Sequence, residues 1–355
     1  LDNPYSLNTV DICPVGALTD KDFRFKSRVW DLKSTPSKCQ GCETGCSMEI
    51  HHRDTVKKGA EVLRLVPPKR LDMNLNWMCD EGRRTYKLLD RPRVTGSADV
   101  LTDSGQIFQS IADKIKSAKQ LCLVIGADTT NERAFALCAI AAAAAERIEG
   151  LTVSTYIASL PDDGKGDSVL RSSNPNPNEG GAMMTVEGFF GVRPKVLSDA
   201  QLSPAQMVSD GAVLNDTVVI SVGEAEYAAA AKLAKTCDHW IHFGAFDSLF
   251  SRSARAKSGK YVFPVPSWAE WTGCQLDRTG EMKQLMPALT MPKDAKPVWK
   301  WVGMIAKQLS LDTFVGIENH ETLFAEMRKH IPALVEKKCC SSRATSGLRF
   351  SGRRG

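Results

Sequence analysis

The sequence predicts an α/β fold in which a doubly wound parallel sheet follows a small cysteine-rich region. Beyond residue 105, continuous apolar runs typical of buried parallel strands alternate with helical patterns. Five of the eleven cysteines, in contrast, lie within the first 79 residues. The 355 residues suffice for two or three domains, and 43% hydrophobic with 25% charged residues excludes a disordered or collagen-like chain.

The predicted sheet begins with a helix followed by a strand. Ile107, Ile111 and Ile115 recur at helical spacing within 106–119, and the apolar run 121–125 indicates a buried strand. Gly126 ends this strand. An Ala-rich helix then opens at 130–132, where Thr or Asn is expected to cap it.

A second unit repeats this order farther along the chain. The sequence predicts a strand over 217–222, a helix across 224–235 and a strand over 239–243. Between the two units, residues 160–188 are rich in Pro, Asn, Gly and Asp and predict long loops.

Charge and hydropathy limit the classes of function. The net charge of +5 is spread along the chain, which argues against a nucleic-acid-binding protein. The longest uncharged apolar run, 134–145, is shorter than the roughly 20 residues of a membrane span. The chain begins with Leu, and 337–355 carries six Lys or Arg without an acid. We therefore expect a fragment of a longer protein; a disordered extension and a sequence artefact are alternative interpretations of its tail.

The spacing of the first cysteines predicts a metal or cluster site. Cys39, Cys42 and Cys46 form C-x2-C-x3-C, and Cys79 follows far downstream. Without a secretory signal, disulfides are a poor explanation. Zinc sites usually combine two short ligand pairs, whereas three cysteines plus a remote fourth suit a 4Fe–4S cubane. Gly41 and Gly45 would let the loop turn tightly. A cluster is favoured over zinc, with unligated thiols as the third interpretation.

Cys13 gives a separate signal because Pro14 follows it. A Cys-Pro pair ends the run of cluster ligands in ferredoxin-type domains. The other ligands of such a run are not upstream in this chain. A buried cysteine at a turn is the alternative, and the neighbouring cysteine set favours the cluster.

At these residues the sequence resembles a known family, the large iron–sulfur subunit (the G subunit) of respiratory complex I, NADH–quinone oxidoreductase. The resemblance is close and specific over 1–90, where 8–30 and the cysteine set with 77–83 carry it. It is looser over 91–310, where 174–181 and 268–281 are similar to the family's molybdopterin-oxidoreductase-like domain, and it is absent from the tail.

The resemblance implies four regions. Residues 1–30 would end a ferredoxin-like 4Fe–4S domain, and 31–90 would form a 4Fe–4S domain of molybdopterin-oxidoreductase type. Residues 91–310 would form a degenerate molybdopterin-oxidoreductase-like α/β domain, and 311–355 a helical segment with a basic, truncated tail.

The resemblance also implies cofactors and partners. Cys39, Cys42, Cys46 and Cys79 would hold one 4Fe–4S cluster, and Cys13 would complete a second with ligands from the missing upstream part. The chain would pass electrons from NADH and flavin towards quinone, without catalytic side chains of its own. Its partners would be other subunits of the peripheral arm, including the NADH/flavin subunit. These would hold it at the cytoplasmic face of the inner or plasma membrane, with no direct membrane span and no nucleic acid.

The main alternative is a molybdenum or tungsten enzyme of formate-dehydrogenase type. Catalytic relatives carry Cys-x-Lys-Gly-Arg after the last cluster ligand, but Glu81 stands here in place of that Lys. A carboxylate would repel the pterin phosphates, so no molybdopterin is expected. A diaphorase subunit of an NAD-linked hydrogenase and a zinc-stapled scaffold are further alternatives. Lys38, Glu43, Arg83 and Arg84 are the charges expected to tune a cluster.

The remaining candidate residues have structural interpretations. Gly126 and Gly223 lie at strand-to-helix turns but lack a dinucleotide-binding pattern. Cys237, His239 and His242 are closely spaced, but a strand would point His242 away from the other two. Small core side chains are expected at Cys122 and Cys138, a loop position at Cys274, and tail positions at Cys339 and Cys340.

Overall fold

The protein is described by a computed structural model that covers residues 3–55, 59–68, 74–94, 104–198, 216–224, 237, 239–248, 251–252 and 260–334. Its N-terminal region contains a short helix and a three-stranded antiparallel sheet in the order β1-β2-β3. The elements are α1 (Ser6–Ile12), β1 (Lys33–Lys38), β2 (Ser47–Thr55), β3 (Gly59–Val66) and the single helical turn α2 (Asp80–Arg83).

The larger part of the chain contains a six-stranded parallel sheet. Its strands are β4 (Gln120–Gly126), β5 (Thr152–Ser159), β6 (Lys195–Ser198), β7 (Thr217–Val222), β8 (His239–Gly244) and β9 (Lys260–Pro264). Their order is β6-β5-β4-β7-β8-β9, so the chain starts at the centre, builds one half and then returns to build the other. The predicted doubly wound parallel sheet is therefore confirmed.

Five longer helices, a hairpin and three short 3-10 helices (Val29–Asp31, Thr85–Asp90 and Pro332–Leu334) complete the described elements. The longer helices are α3 (Ser104–Ser117), α4 (Asn131–Arg147), α5 (Glu179–Phe190), α6 (Val298–Gln308) and α7 (His320–His330), and the hairpin strands are β10 (Gly273–Leu276) and β11 (Met282–Leu285). Helix α4 packs against α5 and α6, and its Ala-rich face allows this close approach. Strand β11 lies beside β1 and β10 packs against α4 and α5, so the hairpin connects the N-terminal sheet with the helices of the larger part.

The sequence places α3, β4 and α4 to within a few residues. Thr130 is the residue before α4, as predicted, but its side chain makes no capping hydrogen bond. The side-chain oxygen of Asn131 instead accepts a hydrogen bond from Asn178 Nδ2 (2.8 Å), and Asn178 is the residue directly before α5. The start of α4 is thus fixed by contacts across the sheet edge rather than by a local cap.

The prediction of loops throughout 160–188 is wrong in its last third. Helix α5 begins at Glu179, directly after the buried Asn178. Close packing explains the glycine at position 181 of this helix: a Cβ there would lie 2.1 Å from Asn178 Oδ1 and 2.4 Å from Asn131 Oδ1. The small residue is needed for packing and does not mark a loop. The predicted helix across 224–235 lies outside the described residues, as do Cys339 and Cys340.

Within the described part of the chain, no helix is both long enough and apolar enough to cross a membrane.

Candidate metal centre

Four cysteines from two distant parts of the sequence line one cavity. Cys39 follows β1, Cys46 precedes β2, Cys42 lies in the loop between them, and Cys79 precedes α2. All four are buried. The remaining lining consists of small, apolar and two charged residues: Gly41, Thr44, Met78, Glu81, Gly82, Leu170 and Arg171. The fold therefore brings the predicted three-plus-one cysteine set together.

Backbone turns around the cavity hold the cysteine loop. The Cys39 amide donates to the Cys46 carbonyl (2.8 Å), which closes the loop. Gly45 has φ of +66°, and a Cβ there would lie 2.4 Å from Lys38 Cε. Only glycine fits this turn without displacing Lys38.

Two backbone amides donate to cysteine sulfur atoms. The Gly41 amide lies 3.4 Å from Cys39 Sγ, and the Gly82 amide lies 3.2 Å from Cys79 Sγ. A Cβ on Gly82 would come within 3.0 Å of Cys39 Sγ and 3.2 Å of Cys79 Sγ. Glycine therefore lets the backbone approach two sulfurs at once, which is the arrangement that stabilises sulfur ligands of a cluster.

The spacing of the sulfurs distinguishes a cluster from a single ion. In a tetrahedral zinc site with Zn–S bonds of about 2.3 Å, the sulfurs would be only about 3.8 Å apart. Within the described residues, which include all four cysteines, no three of these sulfurs lie within 4.8 Å of one another. A cubane offers a separate iron to each thiolate, so its ligands stand farther apart. The cavity therefore fits a cubane better than one zinc ion.

Burial keeps the thiols of Cys39, Cys46 and Cys79 protonated unless a cation binds. Desolvation, reinforced by the neighbouring cysteines, raises the pKa of Cys39 to about 12. Desolvation also raises the pKa of Cys46 and of Cys79 above that of an ordinary thiol. A bound metal centre would supply the positive charge that these sulfurs need as thiolates.

Lys38 brings a positive charge to the buried side of the cavity. The side chain is fully buried, and Nζ donates to the Pro177 carbonyl (2.5 Å) and to Gln275 Oε1 (3.2 Å). Desolvation lowers the pKa of Lys38 to about 8, although the nearby cysteines act in the opposite direction. Gln40 Nε2 also donates to Gln275 Oε1 (3.0 Å), so β10 braces the cysteine loop.

Arg171 is the charged cavity residue that the sequence did not single out. Its guanidinium is buried and pairs with both Glu81 and Asp163. Glu81, the acid noted in place of a Lys, is thus held by Arg171 and also lies 3.5 Å from Lys165. The spacing between 81 and 171 gives no signal in the sequence, because the pair forms only when the 160–178 segment folds over the cavity.

The other expected tuning charges occupy different positions. Arg83 is buried and donates to Asn8 Oδ1 (2.7 Å) and Asp11 Oδ2 (2.6 Å). Arg84 lies near the surface, 3.9 Å from Asp22. Glu43 accepts from the Ser172 hydroxyl (3.3 Å) beside the cysteine loop.

Cys13 lies apart from the four-cysteine cavity, at the end of α1. The backbone amides of 15–18, that of Leu18 most of all, bond its sulfur and lower the pKa of the thiol. Helix α1 is tied to the Cys79 segment through Asn8, whose amide donates to the Met78 carbonyl (2.9 Å), and through the Arg83–Asp11 pair. Cys13 remains a predicted ligand of a second cluster.

The remaining candidates follow their structural interpretations, with one correction. Cys122 and Cys138 are buried in the sheet core. His242 is buried and its Nδ1 lies 2.9 Å from Ser221 Oγ. Cys274, expected at a loop position, instead lies buried in β10, because the hairpin strand packs under α4.

The turns that follow β4 and β7 meet at the carboxyl edge of the sheet. A Cβ on Gly126 would lie 2.9 Å from Gly223 Cα, so close backbone approach explains this glycine. The Asp128 carboxylate accepts from the Glu224 amide (2.8 Å). The Asp128 carboxylate therefore accepts the hydrogen bond that a bound phosphate would accept from this amide, in agreement with a structural role for both turns.

Comparison with known proteins supports the resemblance seen in the motifs. Over 145 residues, 39% of the chain, the sequence is 34% identical to the G subunit of NADH-quinone oxidoreductase from Rickettsia conorii, of which the match covers 21%. It is 39% identical over 101 residues to the protein of the same name from Mycobacterium tuberculosis, covering 28% of this chain and 12% of the relative. It is 40% identical over 92 residues to the protein of the same name from Streptomyces coelicolor, and this match covers 26% of this chain and 10% of the relative.

The matched region thus spans about a fifth of the curated relatives' length or less. The resemblance to the G subunit of NADH-quinone oxidoreductase is confirmed, and these relatives are oxidoreductase subunits by name. No protein-family model matches the sequence. Among solved structures, the acetylene hydratase of Pelobacter acetylenicus aligns with 86% of this chain and 72% of its own, with a TM-score of 0.42 and 9% identity.

Proposed function

We propose that the chain is an electron-transferring iron–sulfur part of an NADH–quinone oxidoreductase, with one 4Fe–4S cluster bound by Cys39, Cys42, Cys46 and Cys79. One observation carries this proposal: four buried cysteine sulfurs, three from one loop and the fourth from a remote segment, line one cavity, which is the ligand arrangement that suits a cubane. The curated relatives, which are named as a subunit of this oxidoreductase, agree with it.

The residues around the cavity suit an electron carrier. A cluster bound here would take up and release single electrons. The amides of Gly41 and Gly82 donate to sulfur and so stabilise the more negative, reduced form. The buried ammonium of Lys38 acts in the same direction from the other side. No general base or nucleophile is required for this chemistry.

The proposal extends to the rest of the chain. Cys13 would complete a second 4Fe–4S cluster with ligands from a preceding segment. Residues 1–30, 31–90, 91–310 and 311–355 would correspond to the four regions predicted from the resemblance. The partners would be other subunits of the peripheral arm, including the subunit that binds NADH and flavin, and these would hold the chain at the cytoplasmic face of the membrane.

The pterin-enzyme alternative is less compatible with the residues near the cavity. Glu81 stands where catalytic relatives have Lys, and Arg171 and Lys165 bind its carboxylate. Those two cations are therefore engaged by Glu81 and Asp163 rather than available to pterin phosphates. A diaphorase subunit of a hydrogenase would share the cluster and differ in its partners.

The experiment is a metal analysis of the full chain purified without oxygen. Iron, acid-labile sulfide, zinc and molybdenum are determined on one sample, and the dithionite-reduced protein is examined by electron paramagnetic resonance. We expect about four irons with equal sulfide and a signal typical of a reduced 4Fe–4S cluster. Zinc in the four-cysteine cavity without sulfide, or stoichiometric molybdenum, would contradict the proposal.

Two alanine variants at buried cysteines provide a matched comparison. Cys42→Ala should lose iron, sulfide and the signal, because one iron would lack its thiolate. Cys138→Ala makes the same chemical change in the sheet core and should retain all three. Equal iron loss in both variants would mean that the loss reflects unfolding, and iron retained by Cys42→Ala would refute the assigned ligand.

A further inference from the structure

A second group of metal-binding side chains lies outside the cysteine cavity. Glu132 belongs to the first turn of α4, Cys274 to β10, and His320 begins α7. One carboxylate oxygen of Glu132, the sulfur of Cys274 and a ring nitrogen of His320 all lie within 4.8 Å of one another. The three residues are far apart in the sequence, so the tertiary fold brings them together.

Glu132 and Cys274 approach the same nitrogen of His320. Nε2 lies 2.8 Å from Glu132 Oε1 and 4.0 Å from Cys274 Sγ. In a catalytic Cys–His–carboxylate arrangement, the thiol and the carboxylate bind opposite nitrogens of the ring. Here both donors face one nitrogen, which is the arrangement expected where a metal ion can replace the shared proton.

Neighbouring groups orient these donors. Glu132 Oε2 accepts from the Cys274 amide (2.9 Å), which leaves Oε1 directed at His320. A Cβ on Gly273 would lie 2.9 Å from Thr130 Cγ2 and 3.2 Å from Glu132 Oε2, so this glycine lets β10 approach α4. The His320 ring stacks on Phe324, with centroids 6.0 Å apart and planes at 14°. Contacts that orient the ligand side chains in this way are typical of metal-binding sites in proteins.

The three donors are largely buried, and a small cavity adjoins one of them. Glu132 and Cys274 are buried, and the His320 side chain is only 13% exposed. A cavity of about 20 Å³ adjoins Glu132, and its lining includes Trp271 and Thr272 but neither Cys274 nor His320. That volume is sufficient for one water molecule.

We propose that Glu132, Cys274 and His320 bind one zinc ion, with a water molecule as the fourth ligand. A thiolate, an imidazole and a carboxylate form a donor set that zinc accepts readily. Tetrahedral zinc needs donor atoms about 3.3–3.8 Å apart, so each of the two measured distances must change by only about 0.5 Å. The ion would join α4, β10 and α7. This site is independent of the function proposed for the cysteine cavity.

The test is zinc K-edge absorption spectroscopy with zinc analysis of the full chain after equilibration with one equivalent of zinc. Iron does not contribute at this edge, so a bound cluster does not interfere. We expect one zinc per chain with one sulfur at about 2.3 Å and nitrogen or oxygen ligands at about 2.0–2.1 Å. A site with four sulfurs would place the zinc in the cysteine cavity and overturn the proposal, as would the absence of bound zinc.

Substitutions test the individual ligands. His320→Gln and Cys274→Ser should each weaken zinc binding at least about tenfold. His330→Gln, at the exposed end of the same helix, and Cys138→Ala, in α4, should leave it unchanged. Unchanged zinc affinity in both ligand variants would overturn the proposal. If a variant does not fold, the sulfur count of the unmodified chain decides the question.

Discussion

Gly82 lies where a side chain would contact two of the four cavity sulfurs. Gly82→Ala should lower the iron and sulfide content of the chain, because the new Cβ would meet Cys39 Sγ at 3.0 Å and Cys79 Sγ at 3.2 Å. Colorimetric iron and sulfide assays on freshly purified protein measure this.

Gly180→Ala is the matched control, since a Cβ at this position in α5 meets nothing within 4 Å. It should keep its iron and gain up to about 1 kcal/mol of helix stability. Full iron content in Gly82→Ala would show that the close backbone approach is not required.

For single residues, the sequence predicts the site residues that belong to a local motif and does not identify the site residues that lie outside one. C-x2-C-x3-C and Cys-Pro carry their chemistry in their spacing. Arg171 reaches the cavity only through a long surface segment, and nothing near it in the sequence marks it. Glu132 and His320 are separated by most of the sheet domain, so only the folded chain shows their contact.

Among the elements, α7 has a complete N-terminal capping box. Asn319 accepts from the Thr322 amide (2.9 Å), and Thr322 Oγ1 accepts in return from the Asn319 amide (3.2 Å). Asn319→Ala should destabilise this helix start by about 0.5–2 kcal/mol. Amide hydrogen exchange should therefore accelerate over the first turn of α7, next to His320.

Asn319→Asp keeps a capping oxygen and should exchange at nearly the rate of the unmodified chain. Equally accelerated hydrogen exchange in both variants would indicate that the capping hydrogen bond does not stabilise the first turn of α7. Faster exchange across the whole sheet would mean that the substitution acts globally.

The predicted elements succeed where hydrophobic pattern alone decides the structure. β4 has a continuous apolar run, and β7 and β8 are mostly apolar; a strand buried on both faces needs little other signal. Helix α5 is missed because Gly181 serves close packing against the neighbouring Asn178 and against Asn131, which is remote in sequence. Cys274 is misplaced for a different reason. It lies in a four-residue hairpin strand, and a pattern this short does not distinguish a strand from a loop.

For the molecule as a whole, His242 makes stability depend on pH. Burial lowers the pKa of His242 to about 3, whereas an unfolded histidine titrates near 6.5. Between these values the unfolded chain binds the additional proton, so the free energy of unfolding falls as the pH is lowered. Between pH 7 and pH 5 this one residue should account for about 2 kcal/mol of lost stability.

His242→Asn should flatten that dependence, because no group then titrates at this position. Urea unfolding at pH 7 and pH 5 measures the difference, with the sheet followed by far-ultraviolet circular dichroism. His330→Asn, at a partly exposed position, should keep the slope of the unmodified chain. Equal slopes for His242→Asn and the unmodified chain would assign the pH dependence to other groups.

Strand β10 presents Cys274 and Gln275 to different partners, the first to His320 and the second to Lys38 and Gln40. Because neighbouring strand residues point to opposite faces, removal of one residue from this strand would exchange the two side chains. Both sites would then lose their partners together. Insertions and deletions in protein engineering should therefore be tolerated at the exposed Gly150 turn but not in this hairpin, because its register positions side chains at both sites.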